Sequence, residues 1–204
     1  AFVNWTKGDS VVSWDKELKP EDVEKENGIY VDATYVANFA EDTNGDDIPD
    51  MYQIKVTYKG ENGTVDITDP VYVTLYKDGH YATAEEGGVG YLAEDQIAKA
   101  KANPGYNQES ESWNPTKPVA NETGLTKDTN YVISFTENGE VTIQYVPDSE
   151  DHGSTTNTPD RVKPATGTPK GSVATAKEGW AFVNWTKGDS VVSWDKELKP
   201  EDVE

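Results

Sequence analysis

Side-chain oxygens recur at alternate positions in one acidic segment, which has the sequence DTNGDDIPD. Its first, third, fifth and ninth places are Asp42, Asn44, Asp46 and Asp50, and the backbone carbonyl of Ile48 stands at the seventh. Calcium takes about six to eight oxygen ligands, and short protein loops supply them at alternating positions of this kind. The spacing therefore predicts a calcium site with these five residues as ligands.

The same segment resembles the DxNxDGxPD loops of dockerins and of type 3 thrombospondin repeats. Two positions depart from that pattern: Asp47 replaces the glycine of the sixth place, and Gln53 stands where a bidentate glutamate would sit. The alternative interpretation is an acidic hinge that needs no ion. If calcium binds, it neutralises closely spaced carboxylates and stiffens the junction between two domains.

Other kinds of site find little support in the residue types. The chain has no cysteine, which excludes disulfides, thiolate zinc sites and cysteine nucleophiles. Its two histidines, His80 and His152, lie in turn-like sequence without a serine or cysteine motif, and there is no phosphate-binding glycine loop or HExxH. We therefore expect a protein that is not an enzyme.

Charge and hydropathy limit the partners. The chain of 204 residues carries 18 Lys and Arg against 38 Asp and Glu, a formal charge of -20, with no compensating basic run. Such a surface repels nucleic-acid phosphates and anionic lipids. No apolar stretch approaches the roughly 20 residues that cross a bilayer, and Ala1 does not open a secretory leader. We expect a soluble fragment of a longer chain, with no nucleic-acid binding and no membrane insertion.

An internal repeat defines the organisation of the chain. Residues 1–24 recur without a change as residues 181–204, an offset of 180. Such an identity indicates one 180-residue unit followed by the opening of the next, as in a tandem array. An engineered duplication that completes a domain or joins chains is the alternative. In either case residues 1–39 form the back half of a module whose front half resembles residues 139–180.

The elements that position these residues are mainly β-strands. Apolar alternation predicts strands over Ile29–Ala37, Tyr52–Tyr58, Pro70–Tyr76, Tyr106–Trp113, Asn130–Phe135 and Glu140–Val146. One short helix is predicted at about residues 92–102, where LAEDQIAKAKA is rich in helix formers, and an ordered loop at 148–170. The predicted domains are a C-terminal half-module at 1–39, an acidic calcium-type linker at 40–51, a β-rich domain with one helix at 52–137, and the N-terminal part of the next module at 138–204.

Read across the repeat junction, the sequence resembles the divergent B-repeat family named after the listerial internalin repeats. The resemblance is carried by Gly179-Trp180, Phe182-Val183-x-Trp185, the turn Lys187-Gly188-Asp189, and a closing strand of the Ala33-Thr34-Tyr35-x-Ala37-x-Phe39 kind. It implies tandem β-grasp-like modules on Gram-positive surface proteins. Residues 52–137 resemble mucin-binding-type repeats through Asn103-Pro104-Gly105-Tyr106, Trp113 and Asn130-Tyr131-Val132.

Two functions follow as expectations. The first is a structural stalk or filament segment of an extracellular, cell-surface or wall-attached protein, with neighbouring repeat copies as partners, including head-to-tail association through split modules. The second is an adhesin module that binds host glycan or mucin through repeat avidity. The six tryptophans distinguish the two, since small β-domains bury most of their tryptophans whereas a glycan platform exposes them.

Overall fold

The computed structural model describes residues 1–203, which form two compact units. The first unit comprises residues 1–100 and 112–133, and the second contains the remaining described residues. Both are built mainly from short strands, so the predicted mainly-β class is confirmed. Among the described residues the only helical segments are short 3₁₀ turns, and none of them has the length or apolar character to span a bilayer.

The first fifteen strands follow one another through the first unit and across its boundary. In chain order they are β1 (Phe2–Lys7), β2 (Ser10–Ser13), β3 (Lys25–Glu26), β4 (Ile29–Tyr30), β5 (Val36–Phe39), β6 (Gln53–Glu61), β7 (Gly63–Val65), β8 (Val71–Thr74), β9 (Tyr76–Lys77), β10 (His80–Tyr81), β11 (Gly90–Tyr91), β12 (Ala100–Ala102), β13 (Ser112–Asn114), β14 (Gly124–Leu125) and β15 (Thr129–Ser134). Turns of 3₁₀ helix lie at Pro20–Asp22, Asp50–Tyr52, Glu94–Gln96 and Gln108–Ser110.

Two sheets organise the first unit: β2-β1-β5 and β13-β15-β6-β8. The alternation predicted from Tyr52 onward is confirmed in β6, which buries Ile54, Val56 and Tyr58 against the rest of the core. Its antiparallel register with β8 places Ile54 opposite Val73. The ring of Tyr58 stacks on Tyr131 at 5.7 Å, so aromatic contacts close this core.

The predicted helix at residues 92–102 is wrong. The structure has only the 3₁₀ turn Glu94–Gln96 there, followed by β12. The Tyr58 hydroxyl donates to the Gln96 carbonyl at 2.7 Å, and the backbone of Lys99 pairs with Asp66 through two hydrogen bonds, of 3.1 and 2.6 Å. A three-turn helix is marginal by itself, so these tertiary bonds to the backbone outweigh its propensity.

The second unit carries the remaining strands and a last 3₁₀ turn at Pro200–Asp202. The strands are β16 (Val141–Ile143), β17 (Gly153–Thr155), β18 (Asp160–Val162), β19 (Ser172–Ala176), β20 (Trp185–Lys187), β21 (Ser190–Ser193) and β22 (Glu197–Leu198). They pair as β16-β18, β17-β19-β22 and β20-β21. The core is a small cluster of Tyr145, Trp185 and Leu198.

Three further expectations differ from the structure. The single strand predicted over 29–37 is divided: β4 pairs with β3 across the Asn27-Gly28 turn, where both residues have positive φ, and β5 begins only at Val36. Only the end of the strand predicted at 106–113 lies in β13, since Gln108–Ser110 form a 3₁₀ turn, and β17 and β18 lie within the loop predicted at 148–170. Asn27 and Gly28 tolerate the left-handed region, so a tight hairpin joins β3 to β4.

Candidate functional site

The acidic loop follows β5 and is wound around the side chain of Asp42. One carboxylate oxygen of Asp42 accepts hydrogen bonds from the backbone amides of Gly45 and Asp46, at 2.8 and 3.2 Å. Its other oxygen accepts from the amide of Asp47 at 3.0 Å. A single side chain therefore holds three consecutive amides, which fixes the curvature of the loop.

The remaining predicted ligands close the same loop. Both oxygens of Asp50 lie within hydrogen-bond distance of the Thr43 amide, at 3.0 and 3.2 Å. Asn44 accepts from the amide of Asp46 at 3.1 Å, and Asp46 in turn accepts from the amide of Ile48 at 3.0 Å. The structure thus places all five predicted residues in one turn of chain.

The two positions that depart from the resembled pattern have defined places. Asp47 has φ of 70°, so the sixth place does require the left-handed conformation for which such loops use glycine. Gln53 folds back over the loop, donating to Asp46 at 2.6 Å and accepting from Asn44 at 3.1 Å. The neutral side-chain amide of Gln53, at the twelfth place of the loop, therefore bridges Asn44 and Asp46 at the third and fifth places.

Hydrogen bonds keep the Asp46 carboxylate negatively charged. Burial raises the pKa of Asp46, but hydrogen bonds from Gln53, Ile48 and Asn44 outweigh it and hold that pKa below its usual value. Asp47 contacts Lys16 at 3.2 Å in an exposed ion pair, which contributes little to stability. The Asp46 carboxylate therefore stays ionised in mildly acidic solution.

The donor set fits a hard cation. Each carboxylate oxygen can accept two hydrogen bonds, so the oxygens of Asp50 and one oxygen of Asp42 retain acceptor capacity. The amide oxygen of Asn44 and the carbonyl of Ile48 are oxygens of the kind calcium prefers. Within residues 1–203, no three histidine, aspartate or glutamate side chains converge as a metal-binding group.

A second candidate site is the repeated segment itself, which folds in the same way at both positions. In the first copy Trp5 pairs with Ser13 across the hairpin, and in the second Trp185 pairs with Ser193, each followed by the same register shift. The Phe2–Trp5 rings lie 6.1 Å apart at 53°, and the Phe182–Trp185 rings 6.0 Å apart at 54°. The sequence of the segment therefore determines its local conformation in both copies.

The two copies nevertheless have different partner strands. In the first, β1 pairs with β5 along one edge. In the second, β22 pairs with β19, so that Ser172 lies opposite Leu198, whereas the equivalent Leu18 is not in a strand. Leu198 is consequently 6 % exposed while Leu18 is half-buried. Each copy has the partner that the other lacks.

A groove of about 470 Å³ lies beside the second copy, entirely within the second unit. One wall is formed by residues 180–186, and the opposite side by residues of β17 and β19. Trp180, 52 % exposed, stacks on His152 at 3.4 Å between ring centroids. His152 bonds to Asp148 at 2.8 Å, and this hydrogen bond lowers the pKa of the Asp148 carboxyl. Sequence reasoning missed this groove, since its walls come from distant segments.

The tryptophans do not follow the expectation that most are buried. Trp185 is 8 % exposed, but Trp14, Trp180 and Trp194 are all about half exposed or more. Trp14 stacks on His80, 6.4 Å away, so that histidine has an aromatic neighbour rather than a nucleophile.

No protein-family model, curated protein or solved structure matches this chain. The functional proposals that follow therefore depend on its own residues and geometry.

Proposed function

We propose that the chain is a segment of a tandem-repeat stalk or filament in an extracellular protein attached to a bacterial cell surface. The observation that carries this proposal is the segment present at both 1–24 and 181–204, which keeps one hairpin conformation and takes a different partner strand in each copy. A repeat that starts again every 180 residues supplies both partners to each internal copy. The completed module would be β-grasp-like, in line with the B-repeat resemblance.

The length of a longer array tests this proposal. Polypeptides of one, two and three 180-residue units should increase in maximum dimension by a constant step in small-angle X-ray scattering. A single compact body grows only as about the 0.38 power of chain length, because it packs in three dimensions. Growth along that shallower curve would contradict a stalk.

We also propose that calcium stiffens the junction at the acidic loop. The supporting feature is the five-residue oxygen set that begins at Asp42. A ligand that binds only the folded state adds about 2.7 kcal/mol of stability at a hundred times its dissociation constant. Calcium should therefore raise the thermal midpoint of the first unit and protect the chain near Asp46 from proteases.

The variant Asp46→Asn keeps the size of the side chain and removes its charge, so it should lose most of the calcium response. Asp69→Asn, an exposed aspartate outside the loop, should retain it. Equal melting and cleavage in calcium and in EDTA would count against the site.

A second candidate function, glycan binding, is favoured by one feature, the exposed Trp180 beside the groove. Aromatic faces of this kind pack on the apolar faces of sugars. In that case Trp180→Ala should abolish the fluorescence response to a host oligosaccharide, whereas Trp194→Ala, a more exposed tryptophan outside the groove, should keep it. An absent response in the unmodified chain would exclude this candidate for the oligosaccharide used.

A further inference from the structure

The groove wall at residues 182–186 has the features of a sheet edge that is missing its neighbour. In the first copy, Asn4 is buried and Val3 is half-buried. In the second, Asn184 is only half-buried and Val183 is 69 % exposed. The sequences are identical, so the difference arises from what lies beside them.

In the first copy that neighbour is β5. Its register places Phe39 opposite Phe2, Asn38 opposite Asn4, Ala37 opposite Trp5 and Val36 opposite Thr6. The Asn38 side-chain amide donates to Asn4 at 2.8 Å and to Thr6 at 3.2 Å. This fork of hydrogen bonds fixes the register of the strand, since a shift of one residue would turn Asn38 to the other face.

The positions that hold β5 in the first copy line the groove in the second: Phe182, Asn184, Trp185 and Thr186. The Phe–Trp ring geometry agrees between copies, and both tryptophan indoles donate to equivalent carbonyls, Trp5 to Lys16 at 3.2 Å and Trp185 to Lys196 at 3.4 Å. Phe182 and Trp185 therefore have the arrangement of the paired copy before any strand arrives, which lowers the entropic cost of binding. Residues 181–184 are in no strand and would extend β20 when the incoming strand pairs with them.

We propose that this groove binds the strand Val36–Phe39 of a second copy of the repeat, with Asn184 and Thr186 accepting hydrogen bonds from its Asn38 side chain. This inference rests on the proposed tandem array and identifies the strand that joins one unit to the next. Within one copy β5 is held by its own β1, so the incoming strand comes from a continuing repeat or is released by another chain.

Extending the chain tests the first source. The full chain, followed by a copy of residues 25–40 after Glu204, should show at least tenfold slower hydrogen exchange in peptides that span the boundary between residues 180 and 181. These peptides are distinguishable by mass, because Trp180 lies outside the duplicated sequence. The matched control carries alanine in place of the asparagine that copies Asn38, in the extension alone, and should lose most of the protection. Unchanged exchange in the extended chain would overturn the proposal.

A synthetic peptide of residues 25–40 added to the unextended chain tests the second source. Protection of the same boundary peptides supports exchange between chains, and Asn184→Ala should weaken it about tenfold through loss of one hydrogen bond. Protection in the extended chain alone assigns the groove to a continuing repeat, and protection in neither experiment overturns the strand assignment.

The scattering series remains independent of this result. A constant length step without groove protection would support the stalk and contradict only the binding of Val36–Phe39 in the groove. Groove protection without a constant length step would support that strand binding and contradict the stalk.

Discussion

The duplicated segment offers a matched pair of core substitutions, Leu198→Ala and Leu18→Ala. Both change the same residue in the same sequence, but Leu198 is 6 % exposed and packs in the cluster with Tyr145 and Trp185, whereas Leu18 is half-buried. Any intrinsic effect on the hairpin is common to the two. The difference between the variants therefore measures the contribution of the residues that precede the second copy.

The expected magnitudes follow from burial. Removing a buried leucine side chain costs about 2–5 kcal/mol, and we expect about 3 kcal/mol at Leu198 because the two large rings beside it fill the cavity only in part. A half-buried leucine loses about half of the roughly 1.5–3 kcal/mol that full burial contributes, so Leu18→Ala should cost about 1 kcal/mol. In a unit of roughly 60–100 residues, 3 kcal/mol lowers the melting temperature by about 12–24 °C.

Hydrogen exchange of the full chain provides the assay. Peptides from β16 and β19 report on the second unit, and peptides from β5 report on the first. These strands are chosen because they lie outside the duplicated segment, whose peptides have equal masses in the two copies and cannot be assigned to either. Leu198→Ala should accelerate exchange in the second unit about a hundredfold, with little change at β5. Equal losses of stability from the two leucines, or the larger loss at Leu18, would refute the assignment of partners.

Two other predictions concern the backbone and pH. Thermal melts should show that Gly171→Ala destabilises the second unit by well over the roughly 1 kcal/mol expected for a residue with positive φ, because the new Cβ would overlap the Leu198 carbonyl oxygen. Gly179 also has positive φ but faces open space, so Gly179→Ala should cost only about 1 kcal/mol. Burial raises the pKa of Tyr58 from 10.0 to about 12. The neutral phenol therefore stabilises the fold fully below pH 10, and this contribution is lost as pH rises toward 12. Tyr58→Phe should remove that alkaline decline, which denaturant midpoints across this range would detect, at a cost of about 1 kcal/mol near neutral pH.

The sequence predicted those elements whose pattern is local. Alternation from Tyr52 marked β6, because a strand with one buried face repeats every two residues. The helix at 92–102 failed because its propensity is weaker than the hydrogen bonds that Gln96 and Lys99 make to distant parts of the first unit. Propensity scales contain no information about such partners.

Burial within the repeat could not be predicted from its sequence at all. Leu18 and Leu198 stand in the same 24-residue sequence and differ in exposure, since β19 pairs beside Leu198 whereas Leu18 is in no strand. The acidic loop could be predicted from the sequence only in part. The positions of its five oxygens were evident from spacing, whereas the bridging role of Gln53 depends on how the chain turns after Asp50.

The central claim, that each copy of the 24-residue segment is a junction completed from both sides, is tested most directly in a chain of two full units followed by a third copy of the segment. The middle copy then has residues equivalent to 139–180 before it and to 25–40 after it. With this copy labelled by segmental ligation with ¹⁵N, its amides should exchange more slowly than those of either terminal copy, since both of its edges are paired. Exchange of the middle copy at the rate of the terminal copies would contradict the claim.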